Sequence, residues 1–346
     1  MAVLILLAAW QSRRLAAIRR GGMPEVYEGY SADVPPVLNF IMVGLGGFRG
    51  IAAEVLWFRV NRLQEEGRFL ELVQLAGWIA MLDPHAAEAW AYNAWNLAYN
   101  VSVMMVRDED RLRWVKNGIR LLRDDGLRFN PREAKLYREL AWIYQNKIGD
   151  NLDSAHLTYK LDLARIMTPC VNADGTFDVA STDHATLSAM RLDADRMLET
   201  ERRFGPLDWR LAESHAVYWA SQGLDYAVGA ERLLCMRGVY QPLVLGVFGG
   251  RFTGNVATGE WRVASNPALA PAAADFLEET CRAFPSRNMS GILIRFLATA
   301  VQQMGREGEV LLAKELYQRL ADNLPEHVQK PSFDEVLQGW TLQKEE

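Results

Sequence analysis

The sequence predicts an all-α protein built from helical hairpins. From about residue 50 onward, apolar residues recur at spacings of three and four, as in "FLELVQLAGWIAML" and "AAEAWAYNAWNLAYNV", which is the period of an amphipathic helix. No strand period alternates with these helices, so the pattern disfavours an α/β fold. One stretch near residues 250–263 departs from it, because glycine, threonine and asparagine are interspersed there with Phe252, Val256 and Trp261. The stretch predicts a small β-hairpin or an irregular excursion.

The predicted helices recur at a fixed distance along the chain. Ala53 and Ala87 are predicted to open two helices 34 residues apart in two successive units, and a period of about 34 residues is that of a tetratricopeptide repeat. A third unit begins at Ala134 and has one residue more than the repeat before its turn at Gly149. A last unit is visible over residues 293–325. Because one helical hairpin cannot bury its own apolar face, we expect the units to stack into a solenoid.

Two helix starts are marked by a capping residue and a proline. Asp83 precedes Pro84, and Asn130 precedes Pro131. Asp and Asn are favoured N-cap residues, and proline is favoured at the first helical position, where its missing N–H costs nothing. Glu133 lies three residues after Asn130 and would complete a capping box. We therefore expect helices to begin at these two prolines.

The amino terminus forms a separate segment. Residues 1–20 join the apolar run "MAVLILLAAW" to four arginines, and the glycines and prolines of residues 21–36 predict a linker. A spanning helix needs about 20 apolar residues, and a secretory signal places its charges before its apolar part. Three interpretations stay open: a truncated membrane anchor, a short interfacial amphipathic helix, and an ordinary buried helix. The basic cluster favours the edge of a membrane, with the side left open.

These observations divide the chain into four parts. The amino-terminal helix covers residues 1–20 and the linker covers residues 21–36. Tetratricopeptide-like repeats follow over residues 37–169. Residues 170–340 predict divergent helical repeats with inserted loops, since the repeat is harder to detect there.

Composition and spacing argue against several functions. A net charge of -5 argues against nucleic acid as the main partner. Cys170, Cys235 and Cys281 are isolated, which suggests neither a disulfide framework nor a zinc site, although one disulfide remains open. The five histidines are scattered singly. Asp183 and His184 are adjacent, but neighbours on a helix point in different directions, so Asp183 is better explained as a helix cap. We predict no metal, no cofactor and no catalytic residue.

A glycine-rich stretch, "VGLGGFRG" at residues 43–50, raises an alternative. A dinucleotide-binding turn needs G-x-G-x-x-G between a strand and a helix. Gly44 and Gly46 supply the first two glycines, but Arg49 stands at the third position and no P-loop lysine follows. A nucleotide-dependent enzyme that uses the turn at residues 44–50 is therefore the first alternative. The second is a helical body that binds a hydrophobic small molecule inside the solenoid.

The predicted concave face of the repeats is rich in aromatic and amide side chains. Trp95 and Trp142 occupy equivalent places in successive units, where such repeats line their groove, although packing against the next unit would explain them equally well. An aromatic, amide-rich groove suits an extended peptide or a protein tail. The candidate partner-binding residues are Asn61, Gln64, Trp95, Tyr99, Arg138, Trp142, Gln145 and Asn146.

Several runs of the sequence carry a family resemblance. They are "GGFRGIAAEVLWFRVNRLQEEGRFLELVQLAGWI", "WAYNAWNLAYNVSV", "GIRLLRDDGLRFNP", "LYRELAWIYQNKIG" and the later "RFGPLDWRLAESHAVYWA". With them the chain resembles a bacterial group of tetratricopeptide-like proteins that have an N-terminal membrane anchor and no assigned activity. The resemblance implies a non-catalytic interaction scaffold at the bacterial cell membrane. Its expected partners are other proteins, in particular subunits of an envelope or transport complex. The apolar run of residues 1–10 is shorter than the full anchor of that group.

Overall fold

The computed structural model describes residues 49–180, 182–256, 258 and 260–341. Most of these residues are helical, and the only sheet among them is an antiparallel pair of strands, β1 (Arg251–Asn255) and β2 (Glu260–Ala264). The all-α class and the small hairpin are therefore confirmed. The expectations for residues 1–36 and for Gly44 and Gly46 lie outside the described residues.

The described residues form two compact units. The first ends at Ala89 and the second begins at Trp90. The first contains α1 (Arg49–Glu65) and α2 (Phe69–Leu82), which pack on each other. Gly67 joins them with a φ of +69°, a conformation that glycine adopts without steric cost. The predicted boundaries at residues 36 and 169 stay a prediction.

The remaining α-helices of five or more residues follow in chain order. They are α3 (Ala87–Trp95), α4 (Asp108–Arg120), α5 (Ala134–Trp142), α6 (His156–Met167), α7 (His184–Met190), α8 (Ala194–Phe204), α9 (Ala212–Leu224), α10 (Gly229–Gly249), α11 (Ala270–Ala283), α12 (Arg287–Glu307), α13 (Val310–Asn323) and α14 (Phe333–Leu337). No helix in the described part of the chain is both long and apolar enough to cross a bilayer.

Three successive helices continue into a π-helical turn. The turns are Asn96–Val101 after α3, Leu121–Gly126 after α4 and Ile143–Gly149 after α5. A π-turn places one more residue in a turn of helix than an α-turn, and such turns occur frequently at functional sites. The extra residue before Gly149 is therefore accommodated inside the helix and not in the loop that follows it.

The expected helix starts at the two prolines are wrong. Asp83 and Asn130 end helices: the Asp83 N–H donates to the Ile79 carbonyl, and the Asn130 side chain donates to the Gly126 carbonyl at 3.2 Å. The residue before a proline disfavours the helical conformation, so each proline begins a turn instead. The next helices start at Ala87 and Ala134.

Helix α9 is central to the second unit, because it packs on both α5 and α10. It is buried nearly all round, as expected of a helix without a polar face. The three helices lie close together at Gly223, where a Cβ atom would lie 3.0 Å from the Cβ of Tyr137 and 3.3 Å from the Sγ of Cys235. Cys170, Cys235 and Cys281 are all free thiols.

The hairpin is fixed to the segment before α9 by the buried Asp208. Its carboxylate accepts the Phe252 N–H at 2.8 Å and two hydrogen bonds from the Arg210 guanidinium. The ring of Trp261 stacks on that of Phe252, with centroids 5.3 Å apart. Gly175 contacts the same carboxylate so closely that a Cβ atom there would clash with it. These contacts hold the hairpin beside the start of α9.

Side-chain caps mark several helix starts. Asp183 caps α7, as expected, by accepting the Ala185 N–H at 3.0 Å. The Ser286 hydroxyl caps α12 by accepting the Met289 N–H at 3.2 Å. Each cap satisfies a donor that the helix itself leaves without a partner.

The variant Ser286→Ala is expected to lower the free energy of unfolding by about 1 kcal/mol, the usual cost of losing a side-chain cap. Urea unfolding followed by circular dichroism measures it. The matched control is Ser290→Ala, the same change one turn further along α12, where alanine is a better helix former than serine. Equal losses of stability in the two variants would contradict the capping role.

Candidate functional site

A groove runs between α5 and α10 in the second unit, and we call it the α5–α10 groove. One wall is the face of α5 and its π-turn that carries Arg138, Trp142, Gln145 and Asn146. The other wall is a stripe of α10 residues at spacings of three and four, which places them on one face of the helix. At a rise of about 1.5 Å per residue, the wall from Leu234 to Gly249 is roughly 22 Å long.

The groove consists of two pockets that share Gln145. The narrow pocket has a volume of about 270 Å³, and its lining is Arg138, Glu139, Trp142, Gln145, Leu234, Arg237, Gly238 and Gln241. The wide pocket has a volume of about 610 Å³ and continues towards the hairpin. Its lining is Gln145, Asn146, Gly149, Asp150, Asn151, His156, Leu157, Lys160, Arg210, Leu211, Ala212, Glu213, Leu245, Phe248, Gly249, Trp261 and Val263.

Large apolar side chains are exposed along both pockets. Trp142 and Leu234 are exposed in the narrow pocket, and Leu157, Leu245 and Val263 in the wide one. A contiguous exposed apolar patch with a polar rim is typical of a binding surface, whereas scattered apolar residues are not. The groove therefore offers apolar surface to a partner.

Side-chain amides line the same groove. Gln145, Asn146 and Gln241 make no hydrogen bond with any other residue that the structure describes. An amide offers both donors and an acceptor, so it can pair with the N–H and the carbonyl of a peptide backbone. The three amides lie on both walls, so a segment between the walls would meet them from two sides.

The charges of the narrow pocket are unevenly paired. Arg138 donates to Glu231 at 2.5 Å and to Glu139 at 2.8 Å, so its guanidinium is already paired with carboxylates of the protein. Arg237 is exposed and makes no ion pair with the described part of the chain. The narrow pocket therefore has one cation available to a partner.

The wide pocket brings Lys160, Glu213 and Asp150 together. Burial raises the pKa of Glu213, although the charge of Lys160 opposes the rise. Burial lowers the pKa of Lys160, whose ammonium donates to the Asn151 side chain at 2.6 Å. Titratable groups with shifted pKa values inside a cavity are typical of functional sites. The charged forms of Glu213 and Lys160 have few partners there, and a ligand can supply the missing ones.

Glycine and arginine set the shape and the charge of this pocket. A Cβ atom at Gly149 would lie 3.0 Å from Oε1 of Glu213, so the glycine leaves room for that carboxyl group. Arg210 is held by both oxygens of Asp208. Two carboxyl groups, those of Glu213 and Asp150, therefore face the single ammonium of Lys160.

The structure brings four of the eight predicted residues to the groove: Arg138, Trp142, Gln145 and Asn146. Trp95 and Tyr99 do not line it. The ring of Trp95 stacks on that of Tyr99, with centroids 5.5 Å apart, and the Tyr99 ring faces the Lys147 ammonium at 5.4 Å.

The other two predicted residues, Asn61 and Gln64, lie exposed on α1 in the first unit. The sequence alone did not predict the α10 wall, nor the lining residues Lys160 and Glu213. One signal in the sequence points to that wall: Arg237 and Gln241 are polar residues, one helical turn apart, within a predominantly apolar helix.

A separate apolar cavity of about 250 Å³ lies among α4, α5, α6 and α7. Pockets for drug-sized ligands usually have volumes of about 300–1,000 Å³, so the α5–α10 groove is the stronger candidate. Among the described residues, no group of three histidine, cysteine or acidic side chains is placed to hold a metal ion. Arg49 and Gly50 are the first residues of α1.

Comparison with known proteins leaves the geometry of the groove as the main evidence for function. The resemblance to a tetratricopeptide-like group stays an expectation from the sequence runs. No model of a known protein family matches the chain, and no curated protein is significantly similar to it.

Proposed function

We propose that the protein is a non-catalytic interaction scaffold, a tetratricopeptide-like solenoid that binds an extended segment of a partner protein in the α5–α10 groove. One observation carries the proposal: three side-chain amides without a hydrogen-bond partner among the described residues lie beside exposed apolar side chains. An extended peptide presents backbone donors and acceptors along its length, and its side chains enter pockets on either side. At about 3.3 Å per residue, a groove of roughly 22 Å holds about seven residues.

The proposed setting is a membrane complex of a bacterial envelope or transport assembly. Its support is the apolar and basic sequence of residues 1–20, together with the resemblance described above. A scaffold tethered in this way would hold the partner segment close to the bilayer. The proposed partner is accordingly another subunit of the same membrane complex.

Site-specific photo-crosslinking in native cells identifies the partner. A photoreactive amino acid at Leu245 is expected to crosslink to one protein, because this side chain is exposed within the groove. The matched control is Leu311 on α13, which is 87% exposed and lies away from the groove. If both positions capture the same proteins, or neither captures any, the groove is not the binding site.

Trp142→Ala is expected to weaken binding of the captured segment at least tenfold, because buried aromatic anchors carry much of the energy at interfaces. Gln241→Ala should weaken it less. The matched control for the amide is Gln318→Ala on α13, which is expected to leave affinity unchanged. Fluorescence anisotropy with a labelled synthetic peptide measures each affinity, and unaltered binding by both groove variants would contradict the proposal.

A further inference from the structure

We propose that the segment bound in the groove carries a lysine or arginine side chain that enters the wide pocket and pairs with Glu213 and Asp150. The inference rests on the proposed function, since it names the chemistry of the partner in the same groove. Its evidence is the charge, the shape and the lining of the wide pocket.

The charge of the wide pocket favours a basic side chain. Arg210 is neutralised by Asp208, and the Lys160 ammonium already donates to Asn151. Glu213 accepts no hydrogen bond from another side chain within the described ranges, and Asp150 accepts one only from the N–H of Asn151. Two carboxyl groups therefore have a single ammonium between them, and a second cation would balance them.

The shape of the wide pocket around Glu213 favours a long side chain. Because Gly149 has no side chain, the Glu213 carboxyl group stays open to a cavity of about 610 Å³. Leu157 and Leu245 offer apolar surface to the methylene groups of a long basic side chain, which pack on such surface while the charged end reaches a polar group. The cavity therefore suits a long, flexible cation better than a short one.

The aromatic lining of the wide pocket also favours a cation. Phe248 and Trp261 both face the wide pocket, and Trp261 is held in place by its stack on Phe252. The face of an aromatic ring attracts a cation within about 6 Å of its centroid. A neutral or acidic side chain would make no cation–π contact with these rings and would leave the carboxyl groups without a partner.

The narrow pocket, at the other end of the groove, offers a positive charge to the partner. Arg237 is the unpaired cation of the narrow pocket, and it precedes Phe248 by about 17 Å along α10. An extended chain covers this distance in about five residues. The bound segment should therefore have an acidic residue about five positions away from its basic residue, and these two charges fix its direction in the groove.

A peptide selection tests the inference with the full chain purified in detergent. A phage library of random eight-residue peptides is expected to yield binders enriched in lysine or arginine. Replacing that residue by norleucine in a synthetic binder should weaken binding about tenfold. With the Glu213→Gln variant, which keeps the size of the side chain and removes its charge, the difference in affinity between the two peptides should shrink severalfold, since Asp150 and the aromatic rings remain. Glu199→Gln, an exposed carboxylate on α8, is the matched control and should preserve the difference.

The outcomes separate the inference from the proposed function. Peptides that lose affinity with Trp142→Ala but show no preference for a basic residue would overturn the inference and leave the groove as a peptide site. So would a basic preference that Glu213→Gln leaves as large as in the wild type. Peptides whose binding is the same with Trp142→Ala, or a selection that yields none, would overturn both. Thermal melting of each variant verifies that it is folded.

Discussion

Asp153→Ala is expected to lower the free energy of unfolding by about 3–5 kcal/mol, because it leaves a buried ammonium without its partner. Asp153 and Lys147 form an ion pair at 2.5 Å, and each side chain is only 5% exposed. The same carboxylate accepts the Ala155 N–H at 2.9 Å and a hydrogen bond from Arg111 at 3.1 Å. Burial alone would raise the pKa of Asp153, but these hydrogen bonds outweigh it and hold the pKa at about 2.

Two further variants test this explanation. Lys147→Met with Asp153→Leu removes both charges, so it should be less destabilised than Asp153→Ala alone, since no uncompensated ammonium remains buried. Glu199→Ala breaks the exposed pair with Arg196 and should cost less than about 1 kcal/mol. Urea unfolding at pH 7 measures all three. A double variant no more stable than Asp153→Ala would show that the buried charge is not the cause.

This ion pair connects stability to the groove. Lys147 lies in the π-turn of α5 directly after Gln145 and Asn146, and Asp153 lies in the loop that carries Asp150. Because this ion pair keeps the Lys147 side chain buried, it fixes the π-turn in the orientation in which the amides of Gln145 and Asn146 line the groove. A π-turn suits this role, because its additional residue shifts the side chains that follow it around the helix axis.

The elements of the fold were predictable to a large extent, because helices and hairpins follow from local patterns. Ala87 begins a helix where the repeat spacing places it, Ala134 begins one at the start of the third predicted unit, and the strands lie close to residues 250–263. Helix α1 begins at Arg49 and not at Ala53, because a repeat pattern marks equivalent positions more sharply than it marks helix ends. The errors at Asp83 and Asn130 have a local cause as well. An Asp or Asn before a proline can stand at the end of one helix or at the start of the next. Because a proline disfavours the helical conformation of the residue before it, Asp83 and Asn130 end their helices.

The candidate site was predictable only on one wall. Arg138, Trp142 and Gln145 share a face of α5 by spacing alone. The opposite wall depends on which helix packs against α5, and α10 is apolar on most sides, so its pattern does not tell which side faces the groove. Lys160 on α6 and Glu213 on α9 line the same pocket, and no local pattern relates two residues so far apart in the chain.

The stability of the protein is expected to fall by up to about 3 kcal/mol between pH 6.5 and pH 4 through the single residue His215. His215 is fully buried on α9, its ring stacks on Tyr144 at 4.9 Å, and its Nε2–H donates to the Trp209 carbonyl at 3.0 Å. Its Nδ1 is buried and has no hydrogen-bond partner in the part of the chain that the structure describes. A proton on Nδ1 would therefore be a buried donor without an acceptor, and burial lowers the pKa of His215 to about 4.

The sign follows from the difference between the folded and unfolded states. In the unfolded chain a histidine has a pKa of about 6.5, so between pH 6.5 and pH 4 the unfolded state binds a proton that the folded state does not. This contribution to stability is complete above pH 6.5 and is lost as the pH falls towards 4. Asp153 acts in a lower range, below its unfolded pKa of about 3.9. Glu201 and Glu213, whose pKa values are raised by burial, act with the opposite sign in mildly acidic solution.

Comparing the wild type with His215→Phe isolates the histidine, because both proteins contain the other titrating groups. Phenylalanine keeps the stack on Tyr144 but loses the hydrogen bond to Trp209, so the variant is less stable at pH 7. The difference between the two free energies of unfolding should shrink as the pH falls from 6.5 to 4, by up to about 1.4 kcal/mol for each pH unit. His184→Gln, which removes an exposed histidine, controls for the loss of one imidazole. Parallel curves for the wild type and His215→Phe would mean that His215 accepts its proton as readily in the folded state as in the unfolded chain.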